Sequence, residues 1–425
     1  MTSGLESLAR SPAAVREPSL RAAALEFSIH PEAGGATVGK TGAAAREVVG
    51  PLSTTMLLLE DGIERICLVA THFNTPKAFN VSPLFRATVA EALGLAPERV
   101  LLFVSHNHTD VKMAENQIEA YEALTLAPDE IPDPVLLPVG EEMRSRLREG
   151  ARRLPERLRP VTVWWAEGEE GRITYNRKGR RTDGSSYLMR EEDRDLVGAD
   201  FIGDIDRQAP LVLLKDADGA VVAAIAQFTG HPVTCYHPER PVVFGDWPQV
   251  ACELVAARLS PESPPPVAFL QGCAADVNAK GMFRGGVELS RKFGAMLAES
   301  YLAALPRLRA SERDGFDYAL EKVPVPLAPL PSESELEAEI AEMEGFIARA
   351  AAGDEETLDC VGLNFPRELT PAYRAKLVEG VLPWSRWALE RHRRDEAGSV
   401  TRQLDAELYV LRLGDVAIVG MPFEP

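Results

Sequence analysis

The sequence predicts an α/β protein, a mixed β-sheet core flanked by helices. Apolar runs of strand length alternate with helix-spaced segments along most of its 425 residues. Two long helical patterns at about 330–395 are followed by a return to strand pattern, so they read as an insertion within one large domain. Hydrophobic residues at 45% and charged residues at 26% are ordinary globular values, which disfavours disorder and coiled coil.

The elements follow in chain order. Residues 1–24 are expected to form a flexible arm, because the start is polar and broken by Pro12 and Pro18, and residues 25–425 the domain. A first strand is expected at 25–29. The segments 51–60 and 65–70 read as a hairpin around the turn Asp61-Gly62. Residues 82–93 have helical spacing, with Ser82-Pro83 as a start and Gly94 as a stop. A buried strand is expected at 99–105, a helix at 139–154 and a strand at 160–166. Strands at 210–214 and 220–228 precede a helix at 248–259 and a strand at 264–270. Helices are expected at 288–305, 332–352 and 372–394, then a final hairpin at 404–413 and 416–420.

Composition narrows the function classes. With 46 Lys+Arg against 64 Asp+Glu the net charge is −18, which argues against nucleic acid and against stable association with anionic membranes. No window approaches ~18 uninterrupted apolar residues, so a membrane span is not expected. The start lacks the apolar stretch of a signal peptide. The five cysteines form no C-x-x-C pair, and a reduced, cytoplasmic setting is expected.

Two constellations can carry chemistry. Gly34 to Thr41 fits the phosphate-loop pattern G-x-x-x-x-G-K-T, in which backbone N–H groups, Lys40 and Thr41 would serve a nucleotide and its Mg²⁺. The helix it requires would be barely two turns before Gly50-Pro51. The second is a set of polar strand ends. The strand at 99–105 runs into Ser-His106-Asn-His108-Thr-Asp, that at 220–228 into Thr-Gly-His231-Pro, and that at 264–270 into a turn carrying Asp276 and Asn278. The last strand runs into Met-Pro-Phe-Glu424. Ligands bind in the crevice beyond strand carboxyl ends, and converging imidazole and carboxylate groups suit Zn²⁺. On an extended segment, His-x-His would set both rings on one side, as two ligands or as ligand plus acid/base.

In these blocks the sequence resembles the catalytic N-terminal domain of the neutral/alkaline (non-lysosomal) ceramidase family. The matching blocks, in order, are PLSTTMLLLEDG (51–62), VSHNHTD (104–110), YNRKGR (175–180), FTGHPVT (228–234), GDWP (245–248), FLQGCAADVN (269–278) and LGDVAIVGMPFE (413–424). The family consists of zinc amidases that hydrolyse the N-acyl bond of ceramide. The resemblance implies zinc ligation by His106, His231 and Glu424, with His108 near the scissile carbonyl and Arg177 holding the developing oxyanion. Asn278 stands where the family has a Ser, so a serine-dependent step is excluded there; Asn278 and Asp276 could orient a water or substrate. The family chain runs on past its Glu and supplies a Tyr ligand. Here the sequence ends at Pro425, which leaves two expectations: a naturally short chain, or a fourth ligand from elsewhere or from water. The expected activity is therefore zinc-dependent hydrolysis of an amide or ester bond in a small, soluble acyl substrate. The alternatives are the phosphate loop and a non-catalytic metal-binding homologue.

Overall fold

Residues 52–61 show how this chain builds its core. The strand Leu52–Asp61 is buried along nearly its whole length, and its side chains alternate between two apolar layers. Leu57 and Leu59 enter one layer, while Leu52, Met56 and Leu58 enter the other. Such a strand needs cover on both faces, and the rest of the fold supplies it.

A computed structural model of the chain describes residues 19–32, 38–39, 42–62, 64–118, 126, 130–180, 184, 186–191 and 204–422. Its strands are labelled β1 (Leu20–Ile29), β2 (Leu52–Asp61), β3 (Glu64–Thr71), β4 (Val100–Val104), β5 (Thr162–Glu169), β6 (Thr174–Asn176), β7 (Gln208–Lys215), β8 (Val221–Phe228), β9 (Val267–Gln271), β10 (Val277–Ala279), β11 (Phe316–Pro326), β12 (Gln403–Leu413) and β13 (Val416–Gly420). The helices are α1 (Val81–Leu93), α2 (Pro138–Arg153), α3 (Asp246–Leu259), α4 (Gly286–Ala304), α5 (Glu333–Ala351) and α6 (Pro371–Arg393).

One sheet has the order β4-β3-β2-β1, extended by Arg159–Pro160, and the other β9-β8-β7-β5, extended by Arg309–Ala310. Both are mixed: β3 and β4 are parallel, as are β8 and β9, and the other pairs are antiparallel. The sheets pack face to face over a layer that includes Leu57, Leu68 and Leu101 from one and Leu214, Ile225 and Leu270 from the other. Helices α1 and α2 cover the outer face of the first sheet, and α3 and α4 that of the second. The expected α/β class with helix-flanked mixed sheets is present, as a helix–sheet–sheet–helix sandwich. No helix among the described residues is long and apolar enough to cross a membrane.

The structure moves several sequence boundaries. Strand β1 begins at Leu20, so residues 20–24 belong to the sheet and not to the arm expected over 1–24. Leu20 and Ala22 are fully buried and Arg21 reaches Glu60, a period-two pattern too short to read from sequence. Strand β11 was not expected, because exposed charges and Pro324 and Pro326 mask its alternation; proline is tolerated there because it lies at a sheet edge. Helices α5 and α6 pack together over Met343, Phe346, Val378 and Leu382. Helix α1 ends at Gly94, whose φ of 66° supplies the left-handed cap.

The phosphate-loop reading fails on its context. Residues 34–37 and 40–41 lie outside the described residues, but no helix follows in 42–51. Instead Glu47–Val48 pairs as a short strand with Val242–Val243. Val38, inside the motif, is buried in a bridge to Val111. A helix N-terminus aimed at phosphate is what the motif needs, and none begins among the described residues 42–51.

Candidate metal centre

The chemistry collects where the parallel pair of each sheet ends. Strand β4 leaves its sheet at Val104, and the next residues are Ser105, His106, Asn107 and His108. His106 has φ 63°, so the segment is kinked and not extended as the sequence reading assumed. A left-handed backbone at a non-glycine residue is strained, and it persists only where the surroundings enforce it. Asn107 does so here. Fully buried, it donates from Nδ2 to the carbonyls of His72 at 3.1 Å and Phe244 at 2.7 Å, and its Oδ1 accepts from Thr109 N at 2.9 Å. With Asn107 driven into the scaffold, both flanking rings face the crevice, 5.0 Å apart.

The third ring comes from the second sheet. After β8, His231 bridges to Asn278, and its N–H donates to the Val277 carbonyl at 2.9 Å. Its Nδ1 lies 2.7 Å from the Ala274 carbonyl. A carbonyl only accepts, so Nδ1 carries the proton and Nε2 is the nitrogen left to ligate. The His231 ring centroid is 4.7 Å from that of His106 and 5.6 Å from that of His108. One ligand atom from each of the three lies within 4.8 Å of the others. His108 therefore stands with the potential ligands as closely as the two residues expected to bind metal. The donor chemistry fits Zn²⁺, for which neutral imidazoles are ordinary ligands.

The remaining expected residues form a chain of contacts leading away from His231. Arg177 donates from Nε to the Ala275 carbonyl at 2.8 Å, and its Nη1 lies 3.4 Å from Asn278 Oδ1. Asn278 Nδ2 is 3.4 Å from the Tyr175 hydroxyl. Asp276 accepts from Asn176 Nδ2 at 3.0 Å, and its carbonyl accepts the Arg177 N–H at 2.7 Å. The turn 274–278 thus positions His231, Arg177 and Asn176 together. Glu424 lies outside the described residues.

Lys77 and Tyr236 escaped the sequence reading. Lys77 Nζ lies 3.2 Å from His106 Nδ1. Tyr236 stands edge-on to His108, ring centroids 5.4 Å apart. Asp246, in the matched block GDWP, is fully buried with φ 52°; it accepts from Ser290 Oγ at 2.5 Å, Trp247 N at 2.7 Å and Cys235 N at 3.2 Å. Burial pushes its carboxyl up, and these hydrogen bonds pull against that. Burial also pulls His237 down, and pushes the Cys235 thiol and the Tyr236 hydroxyl up. His72 is buried behind the site, against Phe269, and burial draws its imidazole down to about 3. A signal for Asn107 was present in its place between two histidines, and Asp246 lies inside the matched block GDWP; Tyr236 carried none beyond proximity to FTGHPVT.

No protein-family model matches the chain, and no curated protein matches it. Solved structures do. The chain is similar to neutral ceramidase from Pseudomonas aeruginosa, at 16% identity and a TM-score of 0.56, over 95% of this chain and 62% of that one. It is also similar to a ceramidase complexed with C2, at 17% identity and a TM-score of 0.49, over 75% of this chain and 48% of that one. The chain spans less than two thirds of the length of either. The likeness to the Pseudomonas aeruginosa structure shows a ceramidase-like fold.

Proposed function

We propose that this chain is a zinc-dependent hydrolase that cleaves an amide or ester bond of a small, soluble acyl substrate. The observation that carries the reading is the convergence of His106, His108 and His231, from two different sheets, on one point. The ceramidase-like fold and its neighbours' names support the amide class. The net charge of −18 favours a soluble substrate over one embedded in an anionic membrane.

In this reading His106 and His231 would hold the ion, with Glu424 as the carboxylate ligand. A bound zinc would supply Lewis acidity and bring the pKa of a water toward ~7. The Ala274 carbonyl keeps His231 in the ligating tautomer. His108 carries a proton between the attacking water and the leaving nitrogen or oxygen. Arg177 meets the carbonyl oxygen as it gains negative charge, and Asn278 and the Ala275 carbonyl hold that guanidinium in place. Asp276 keeps Asn176, and with it the strand before Arg177, in register.

The test is metal analysis of purified protein combined with a panel of N-acyl amides, acyl esters and lactones. About one equivalent of zinc is expected, with chelator-sensitive turnover of at least one amide or ester. His231→Ala should lose the zinc and lower kcat/KM by ~10³ or more. Background metal in wild type would sink the reading. Stoichiometric zinc with no turnover across the panel would favour the non-catalytic metal-binding homologue.

A further inference from the structure

Helix α6 belongs to the inserted pair, yet its first turn is fastened to the segment that carries His231. Glu239 accepts from the Thr370 hydroxyl at 2.5 Å and from Thr370 N at 3.2 Å, just where α6 begins. Three residues on, the Tyr373 hydroxyl lies 3.5 Å from the Tyr236 hydroxyl. Tyr236 is buried, its ring edge-on to that of His108 at 5.4 Å between centroids and tilted against that of Phe283 at 5.7 Å. Phe283 has φ 65°, a strained backbone for an aromatic residue, and its N–H donates to the Tyr236 carbonyl at 3.2 Å. It packs on both the core under α3 and α4 and the apolar layer between α5 and α6. Its neighbour Arg284 pairs with Glu191 at 3.0 Å and with Glu368 at 3.9 Å, just before α6. Tyr236 is thus enclosed by His108, Phe283 and Tyr373, and the third of these belongs to the insertion.

We propose that Tyr373 is a positioning residue for His108, acting through Tyr236, so that the helix pair α5–α6 forms a working wall of the metal centre. This rests on the hydrolase reading for its effect on turnover, but the coupling to His108 can be read without it. A hydroxyl pair on the far side of Tyr236 sets where its ring lies, and the ring sets where the His108 imidazole can turn. Removing one hydroxyl leaves the packing in place and loosens that setting.

The test uses full-length protein labelled with ¹⁵N at histidine, as wild type and Tyr373→Phe. The His108 imidazole resonance, assigned by its loss in His108→Ala, is expected to move in Tyr373→Phe. Those of His30 and His392 stay, the latter on the same helix. Zinc content is unchanged, Tm moves by less than about 2 °C, and kcat falls about tenfold at constant KM. Tyr373→Ala, which also removes the ring, should lower kcat further. An unmoved His108 resonance with unchanged kcat overturns the proposal. So does a kcat loss accompanied by a lower Tm and a moved His392 resonance, which would mean a merely structural role. If wild type holds no zinc and turns nothing over, the hydrolase reading fails. The resonance then decides the coupling by itself.

Discussion

At the hairpin end of the first sheet, Glu60 is 6% exposed and meets Arg21 at 2.7 Å and Arg65 at 2.5 Å. At the opposite end, beside the histidine cluster, Asp246 is 0% and His72 4% exposed, and neither has an ion pair among the described residues. The difference is one of compensation. At the hairpin end the charge is matched, so the carboxyl stays below its usual range despite burial. At the site end the buried groups are held by neutral partners alone. Burial therefore moves Asp246 up and His72 down, each toward its uncharged form. Perturbed groups of this kind, clustered with a left-handed His106 and a left-handed Asp246, mark an end of the fold shaped for something other than stability.

The sharpest way to break this comparison is to remove Asp246. Asp246→Ala leaves the Ser290 hydroxyl and the N–H groups of Trp247 and Cys235 buried without an acceptor. The expected loss is about 3 kcal/mol of unfolding free energy, read by urea titration at pH 7.5. Asp246→Asn keeps one acceptor oxygen and should cost less than half as much. Equal losses for the two variants would mean that the charge, and not the acceptor, is what these groups need.

His72 comes next. Its imidazole is neutral in the folded protein down to about 3, against 6.5 when unfolded. The unfolded chain therefore takes up the proton first as pH falls, and stability is lost from 6.5 downward. Between pH 7.5 and pH 5 the expected loss from this residue is about 2 kcal/mol. His72→Gln has no such proton to bind, so wild type should lose that much more than the variant over the same interval. Parallel losses in the two proteins would show that other groups carry the acid sensitivity.

Much of this architecture was legible in the sequence because it is local. Ser82-Pro83 and Gly94 bracket α1, Asp61-Gly62 turns the first hairpin, and apolar continuity marks β2, β4 and β8. His106, His108 and His231 were legible as a group because each directly follows a strand, and strand ends of one polarity meet in one crevice. The ceramidase-like resemblance, carried by blocks at those ends, agrees with the fold. Long-range partners were not legible. Tyr373 reaches Tyr236 across 137 residues of sequence, and nothing in its own helix singles it out. The left-handed kink at His106 was hidden too, because it depends on carbonyls of His72 and Phe244 that sequence spacing does not bring near. Strand β11 was hidden by its own charges and prolines.

Glu60 supplies the smallest effect and the cleanest contrast. Burial pushes its carboxyl up, but the hydrogen bonds and charges of Arg65 and Arg21 outweigh that and hold it below the usual range. A depressed folded pKa means that the contribution is complete above 4.5, the ordinary value, and is lost as pH falls below it. The side chains of Arg21 and Arg65 are 44% and 39% exposed, so solvent screens both partners and the pairing contributes only about 1 kcal/mol. Glu60→Gln should therefore lower unfolding free energy by about that amount at pH 7, less in 1 M salt, and by almost nothing at pH 2.5. Wild type loses stability on acidification at both ends of the sandwich, but in different windows: from 6.5 downward through His72, and only below 4.5 through Glu60. Salt separates them further, since the His72 effect is a cost of burial with no partner charge to screen. A Glu60→Gln loss that persisted unchanged at pH 2.5 and in 1 M salt would be a packing effect, and the two ends would then differ in shape and not in compensation.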